Sequence, residues 1–437
     1  MDGATEGKIM NLLYIVPKLN YGGGVGNVIS ELNALHAINK RVSATVVSLE
    51  KTYSPDFYRR IKAVGGSLRV APGPDALRAL IDRADLVVVV YWNHPLLTAF
   101  LTWYYTSFIK VPIIISVQVN GQTPPQIMPE WVVALADGII KLHYTTFLRD
   151  AQKPFVDLLP FMSLPLHPPA PPVHAMPFTV FYAGSLNRFK RYSGLIDLND
   201  RIANLNVRVE YWGAGEDQDF IQQLEKSLKG AYCGFSSNIF QDFQQKHLLV
   251  NPQSTLSYGA NEKIMFECAW MGIPSLVLQS SFISQVIQDG VNGIVVPDEE
   301  GYLECIEHYS RDASAFNSLA AKTYDWAHSV YSLTDMAKRL SDFYAHFISM
   351  RNLSAKHGAL PSTPTEAVLA GIGYTYSEIT VDLLNMESVE KLDYILHCEG
   401  GLMHYLEFHS DDEVLNQFTY LVWTVYQQKL ASTTLIL

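Results

Sequence analysis

Tyr258-Gly-Ala-Asn-Glu262-Lys-Ile-Met-Phe-Glu267-Cys-Ala-Trp-Met-Gly272-Ile-Pro274-Ser-Leu-Val-Leu278, followed by Gln285-Val-Ile-Gln-Asp289-Gly290-Val-Asn292-Gly293-Ile-Val-Val-Pro297, is the part of the chain that reveals its fold class. The first segment reads as a helix carrying Glu267, a Gly-x-Pro break and a short apolar strand. A second helix is expected next, then a Gly-Val-Asn-Gly turn into another strand. Together these make one and a half β–α units with a carboxylate near the start of a helix. Ligands of open α/β sheets bind where strands end and helices begin, so Glu267 is the first candidate site residue.

The same rhythm extends in both directions. Ile9 to Val16 is an apolar strand running into Gly22-Gly23-Gly24-Val-Gly26-Asn27, and a helix follows with Val28, Ile29, Leu32 and Leu35 on one face. The glycines let backbone N–H groups approach a phosphate or a sugar, with a plain tight turn as the alternative; the G-x-G-x-x-G spacing of a dinucleotide site is absent. Strands are expected at Arg41–Leu49, Asp85–Tyr91, Val111–Val119 and Ala136–Leu142. The third strand of this half is Val-rich, as a parallel strand buried on both faces is, and ends in Trp92-Asn93-His94-Pro95. Residues 161–176 hold Pro165, Pro168, Pro169, Pro171 and Pro172, too many for helix or central strand, and are read as a semi-rigid linker. Beyond it, strands are expected at Phe178–Ala183, Val207–Trp212 and Leu248–Asn251, the first two leading into Gly184-Ser185 and Gly213-Ala-Gly215.

At 437 residues the chain exceeds one ordinary core. With 48% hydrophobic and 17% charged residues it has the profile of a well-packed α/β protein. Net charge is −11, of which −7 falls after Met350, where four Lys/Arg stand against eleven Asp/Glu. No basic stretch suits nucleic acid, and no apolar run is long enough for a transmembrane helix. Cys233, Cys268, Cys305 and Cys398 lack C-x-x-C spacing and fit reduced thiols, hence a cytoplasmic protein. Residues 366–437 read as acidic, aromatic and helix-leaning, and are a candidate partner module.

Phe266-Glu267-Cys-Ala-Trp-Met-Gly272-Ile-Pro274-Ser resembles the (L/F)-E-A-x-A-x-G-x-P-V element of the retaining family-4 glycosyltransferases. Val286-Ile-Gln-Asp289-Gly290-Val-Asn292-Gly293 is similar to the segment next to that element in the family. Tyr182-Ala-Gly184-Ser185-Leu with Lys190 resembles that family's G-R-L-x-x-x-K loop, and Trp212-Gly213-Ala-Gly215 its G-x-G loop. The four elements agree in order and spacing over about residues 177–348. The resemblance implies a GT-B fold: two Rossmann-like lobes facing a central cleft. Residues 1–160 would form the acceptor-side lobe and 177–350 the nucleotide-sugar lobe, with 351–437 a linker and helical extension.

For function, the resemblance implies transfer of a sugar from a nucleotide-diphosphate sugar to a glycan or lipid-linked acceptor. Configuration would be retained, and no metal or other cofactor would be needed beyond the donor substrate. Glu267 would hold the ribose hydroxyls; paired with Lys263 on a helix surface, it has a purely structural reading as well. Lys190 would bind the diphosphate, with Arg188 or Arg191 replacing the Arg that the family places at Ser185. Gly23, Gly24, Gly184, Gly213 and Gly215 would line the donor. The family's second Glu is replaced here by Gly259, and Glu262 stands nearby as its candidate substitute. His94 would approach the reacting sugar, with Trp92 and Asn93 beside it on the acceptor side; a His bonded within the backbone is the alternative. Lys141 and His143 end another strand, with a weaker case. The aromatic run from Pro95 to Ile109 reads as a buried helix or as a peripheral membrane contact at the inner face. Two further readings stay open: a non-catalytic sugar-binding or scaffold protein on a degraded transferase fold, for which Ser185 and Gly259 speak, and a GT-B-like sugar-nucleotide epimerase.

Overall fold

A computed structural model describes residues 9–19, 23–51, 54–142, 153–165, 167–186, 189, 195–213, 221–223, 226, 232–236, 238–253, 255–259, 262–350, 359–375 and 378–434. The chain divides into two units, 1–158 with 334–437, and 159–333.

The first unit is built on β1 (Met10–Val16), α1 (Gly23–Ile38), β2 (Val42–Ser48), α2 (Pro55–Ala63), β3 (Ser67–Val70), α3 (Pro74–Arg83), β4 (Leu86–Tyr91), α4 (Pro95–Thr106), β5 (Ile113–Val117), α5 (Glu130–Leu135), β6 (Gly138–Leu142) and β7 (Phe155–Leu158). Its seven strands run parallel in the order β3-β2-β1-β4-β5-β6-β7. The order reverses between β1 and β4, which is the switch point of this sheet. Every residue of β4 is buried, as its Val run predicts for a central strand covered by helices on both faces. Helix α4 buries Leu97, Phe100, Leu101 and Tyr104, so the aromatic run is a helix with one face turned into the protein. Among the described residues no helix is long and apolar enough to cross a membrane.

In the second unit, β8 (Thr179–Ala183), α6 (Leu195–Ala203), β9 (Arg208–Trp212), β10 (Tyr232–Gly234), α7 (Ile239–Phe243), β11 (Leu248–Val250), α8 (Lys263–Trp270), β12 (Ser275–Leu278), β13 (Gly293–Val296), α9 (Glu299–Arg311) and α10 (Ala313–Val330) succeed one another. The sheet order is β10-β9-β8-β11-β12-β13, again parallel, with its switch point between β8 and β11. Its core gathers Phe178, Val180, Tyr211, Leu248, Leu276, Tyr302 and Phe316. The helix expected after β12 is only a 3-10 turn, Phe282–Val286. Ile287 returns to extended backbone, and Asn292 holds the loop by accepting from Gln288 N–H and donating to the Val286 carbonyl. The strands β3, β7 and β10 are three or four residues long and carry too little periodicity to be expected.

The Pro-rich segment is not a free linker. Phe161 and Met162 are buried, the Met162 N–H donates to Tyr331 Oη at 2.8 Å, and the His174 N–H donates to Asn317 Oδ1 at 2.8 Å. Pro171 closes on Gly272, where an added Cβ would lie 2.7 Å from the Pro171 Cβ. This explains why the Gly-x-Pro break carries glycine, quite apart from its left-handed φ of 77°.

Helix α11 (Leu333–Ser349), expected in the second lobe, belongs to the first unit from Thr334 onward. Buried Glu31 on α1 ties it there: Tyr344 on α11 donates to Glu31 Oε1 at 2.7 Å, and Tyr14 on β1 donates to the same oxygen. Burial lifts the Glu31 carboxyl to about 7, although both tyrosines pull it down.

The extension also belongs to the first unit. It comprises α12 (Pro364–Ile372), α13 (Val381–Met386), α14 (Val389–His397), α15 (Leu402–Phe408) and α16 (Glu413–Thr434). Thr363, Thr380 and Ser388 accept N–H bonds as side-chain caps of the first three. Val368, Leu369, Leu392, Leu396, Tyr405, Leu415 and Val422 form a core of their own.

Candidate functional site

The second unit's site is set by how three strands end. β8 runs out at Gly184 and β9 at Gly213. Gly184 N–H donates to the Trp212 carbonyl at 3.0 Å, and Gly213 N–H to the Gly234 carbonyl at 2.9 Å. A Cβ on Gly213 would stand 1.8 Å from the Gly184 carbonyl oxygen. The two strand ends are thus pressed backbone to backbone, which only glycine allows. Half-buried Ser185 follows, its carbonyl accepting from Tyr182 Oη at 2.9 Å. Arg188, Lys190, Arg191 and Gly215, expected on these loops, lie outside the described residues, as does His143 of the first unit.

Across the switch point, β11 ends in Asn251-Pro-Gln253. Both amides are 2% exposed, and among the described residues Asn251 Oδ1 and Gln253 Oε1 have no hydrogen-bond partner. Unpaired buried acceptors are rare in folded proteins and point to a donor that arrives with a ligand or water. A Cβ on Gly259 would meet Glu262 Oε1 at 2.5 Å and Gln253 Oε1 at 3.5 Å. The Glu262 carboxylate therefore occupies the space that a side chain at 259 would fill. Helix α8 starts at the next residue and carries Glu267 on its second turn, 8% exposed. Burial lifts the Glu267 carboxyl to about 7, and Lys263, 3.6 Å away, offsets only part of the effect. The Lys263 pairing of the purely structural reading is real, but it coexists with a buried carboxylate.

In the first unit, Gly23 and Gly24 open α1 beyond the end of β1. Trp92, Asn93 and His94 follow β4, as expected, but they lie beneath the extension. Asn93 donates through Nδ2 to the carbonyls of Pro125 (2.8 Å) and Gly400 (3.1 Å), and its Oδ1 accepts from Tyr405 Oη at 2.8 Å. Its amide capacity is filled within the protein. His94 is wholly buried and caps α4, Nδ1 accepting from Leu96 N–H at 3.2 Å. Nε2 therefore carries the ring proton; among the described residues it has no hydrogen-bond partner, and it lies 3.5 Å from Glu50 Oε1. The His404 and Phe408 rings close over it, with centroids 4.7 and 5.9 Å away. Burial draws His404 down to about 4, so this cover is uncharged at neutral pH. Trp92 remains half-buried, and Lys141 pairs with Asp157 at 3.0 Å.

The extension enters this site through Glu399-Gly400-Gly401. Gly400 has φ +85°, and a Cβ there would lie 2.5 Å from the Asn93 carbonyl oxygen and 2.6 Å from Gln126 Nε2. Gly400→Ala is expected to loosen the extension by about 2–3 kcal/mol, combining left-handed strain with overpacking. Faster amide exchange at residues 92–94 and 399–405 would report it. Gly290→Ala, at a similar φ in open space, should leave those amides alone.

Both units are Rossmann-like, and the chain has the two-lobe α/β fold of GT-B glycosyltransferases. Anabaena HepE, solved in complex with UDP and glucose, is similar at 15% identity and TM-score 0.59 over 77% of this chain and 100% of that one. Sucrose-phosphate synthase from Thermosynechococcus elongatus is similar at 13% identity and TM-score 0.58, covering 78% of this chain and 100% of its own. For S. aureus TarM, solved with UDP and α-GlcNAc-glycerol, the figures are 10% identity, TM-score 0.60, 77% and 99%. No protein-family profile and no curated protein matches the sequence.

Asn251, Gln253, Glu399 and Gln126 are candidate site residues that sequence reasoning misses. Asn251-Pro-Gln253 has a usable signal, polar residues at the end of an apolar strand. Glu399 has only the Gly-Gly turn after it.

Proposed function

We propose that the chain is a glycosyltransferase that moves a sugar from a nucleotide-diphosphate sugar to a glycan or lipid-linked acceptor. The observation that carries this reading is the buried, high-pKa Glu267 beside a switch point floored by glycine and lined by unpaired amide oxygens. All of these groups accept hydrogen bonds, and a ribose or a sugar supplies hydroxyl donors. The solved relatives that hold UDP support the same reading.

In this scheme Glu267 receives the ribose hydroxyls. Gly184, Ser185, Gly213 and Gly215 admit the diphosphate, whose growing charge Lys190 and Arg188 neutralise in place of a metal. Glu262, folded over Gly259, and Gln253 receive hydroxyls of the donor sugar. The bond from anomeric carbon to phosphate oxygen breaks as the bond to the acceptor oxygen forms on the same face. The departing phosphate oxygen takes the acceptor proton, and configuration is retained. Gly23 and Gly24 let the start of α1 approach the substrates. His94 acts from beneath, through Glu50 and the floor made by Trp92 and Asn93.

The burial of Asn93 and His94 favours a second reading, a sugar-binding protein that has lost transfer. A panel of nucleotide sugars, read by thermal shift and by nucleotide release, separates the two. Stabilisation by UDP with release on adding acceptor is expected. Stabilisation without release by any donor and acceptor leaves the binding protein. No stabilisation by any nucleoside diphosphate removes the proposal.

A further inference from the structure

The first unit's switch point, between the ends of β1 and β4, holds a carboxylate that neither strand supplies. Glu399 reaches in from the extension. Its Oε1 accepts from Trp92 Nε1–H at 2.9 Å, after β4, and pairs with Lys18 Nζ at 2.9 Å, after β1. Its main-chain carbonyl accepts from Gln126 Nε2 at 2.5 Å, and Gly400 is wedged behind it. Burial alone would raise the Glu399 carboxyl, but Lys18, with His94 and Trp92, outweighs it and keeps the group below the usual carboxylate range. The carboxylate is ionised at neutral pH, and among the described residues its side-chain contacts both fall on Oε1. Its side chain is 29% exposed, and that of Lys18 25%, so a ligand can reach both.

We infer that Glu399 is an acceptor-binding residue, supplied by the extension, that receives a hydroxyl of a neutral, polyhydroxylated acceptor at the first unit's switch point. The carboxylates of Glu399 and Glu50 disfavour an anion there, and the Lys18 ammonium disfavours a cation. A neutral sugar is the chemistry left. Both contacts use Oε1, and Oε2 is the oxygen proposed to receive the hydroxyl. Held by its main chain and by two donors, the carboxylate loses little freedom when it binds. The extension is thus part of the substrate site in its own chain. The acceptor role rests on the transferase reading; the binding of a neutral sugar does not.

Saturation-transfer NMR on the full chain tests this, with maltose as the neutral polyol probe. Wild type should show transfer to maltose. Glu399→Gln keeps size and fold, and should weaken maltose binding roughly five- to tenfold, as expected when a hydrogen bond to a charged acceptor becomes one to a neutral amide. Its stabilisation by UDP should match wild type, which a general loss of folding would not predict; its Tm should fall somewhat, because the ionised Glu399 beside Lys18 contributes stability that Gln does not. Equal maltose binding in E399Q, or none in wild type, would overturn the inference. Failure of UDP to stabilise wild type would instead sink the nucleotide reading, and the maltose comparison would still decide this one.

Discussion

Gly213→Ala should pull apart the ends of β8 and β9 in the second unit, where the nucleotide is proposed to bind. The added Cβ would sit 1.8 Å from the Gly184 carbonyl oxygen and 3.0 Å from its carbonyl carbon. Both are backbone atoms, so no rotamer change relieves the clash. β8 and β9 must separate where Gly184 N–H meets the Trp212 carbonyl at 3.0 Å. Overpacking and the lost strand-end bonds together should cost about 3 kcal/mol or more. For a unit of this size that is a fall of roughly 10 °C in Tm. Stabilisation by UDP should vanish with it. Gly234→Ala is the control, since its φ is +77° but nothing lies within 4 Å of an added Cβ. It should cost only the left-handed strain, about 1–2 kcal/mol. Equal effects at the two positions would show that close approach is not what glycine provides at 213.

Glu267→Ala is expected to lower affinity for UDP about a hundredfold, the loss of two charge-assisted hydrogen bonds to ribose hydroxyls. Isothermal titration calorimetry reads this directly, and unchanged affinity would remove the ribose role. The raised pKa adds a pH signature. Ribose hydroxyls donate to the ionised carboxylate, so wild-type affinity should rise as pH climbs from 6 to 8, by about tenfold for a group near 7. Glu267→Gln should lose that part of the rise, leaving only what the phosphate's own titration supplies. Stability runs the other way. The folded carboxyl holds its proton up to about 7, against an ordinary value of 4.5. The folded state therefore binds more protons between these values, and stability falls as pH rises through them. Glu267→Gln should remove up to about 3 kcal/mol of that fall. Glu31 contributes a decline of the same sign, so the difference between variant and wild type is the quantity to measure.

The α/β architecture is legible in the sequence because parallel strands are buried on both faces and must be apolar throughout. The Leu86–Tyr91 and Thr179–Ala183 strands declare themselves in this way. Glu267 is legible because a carboxylate among Met265, Phe266, Cys268 and Ala269 interrupts an apolar helix face. The 3-10 turn at Phe282–Val286 reads as a helix because five residues carry too little periodicity to tell the two apart. Position along the chain puts helix α11 with the second lobe, whereas its attachment to the first depends on Tyr344 reaching Glu31, 313 positions away.

Local pattern alone determined the two Rossmann-like sheets, the glycine-ended strands and Glu267 at a helix start, since each depends on neighbours within a few residues. Tertiary structure alone decided that Glu262 fills the space over Gly259, that among the described residues the side-chain oxygens of Asn251 and Gln253 are left without partners, and that the extension buries His94 and delivers Glu399 to β1 and β4. The reason is distance along the chain. Trp92 and Glu399 lie 307 positions apart, and no pattern of propensity or periodicity spans that interval; only the packing of the helical extension on the first unit brings them within 2.9 Å.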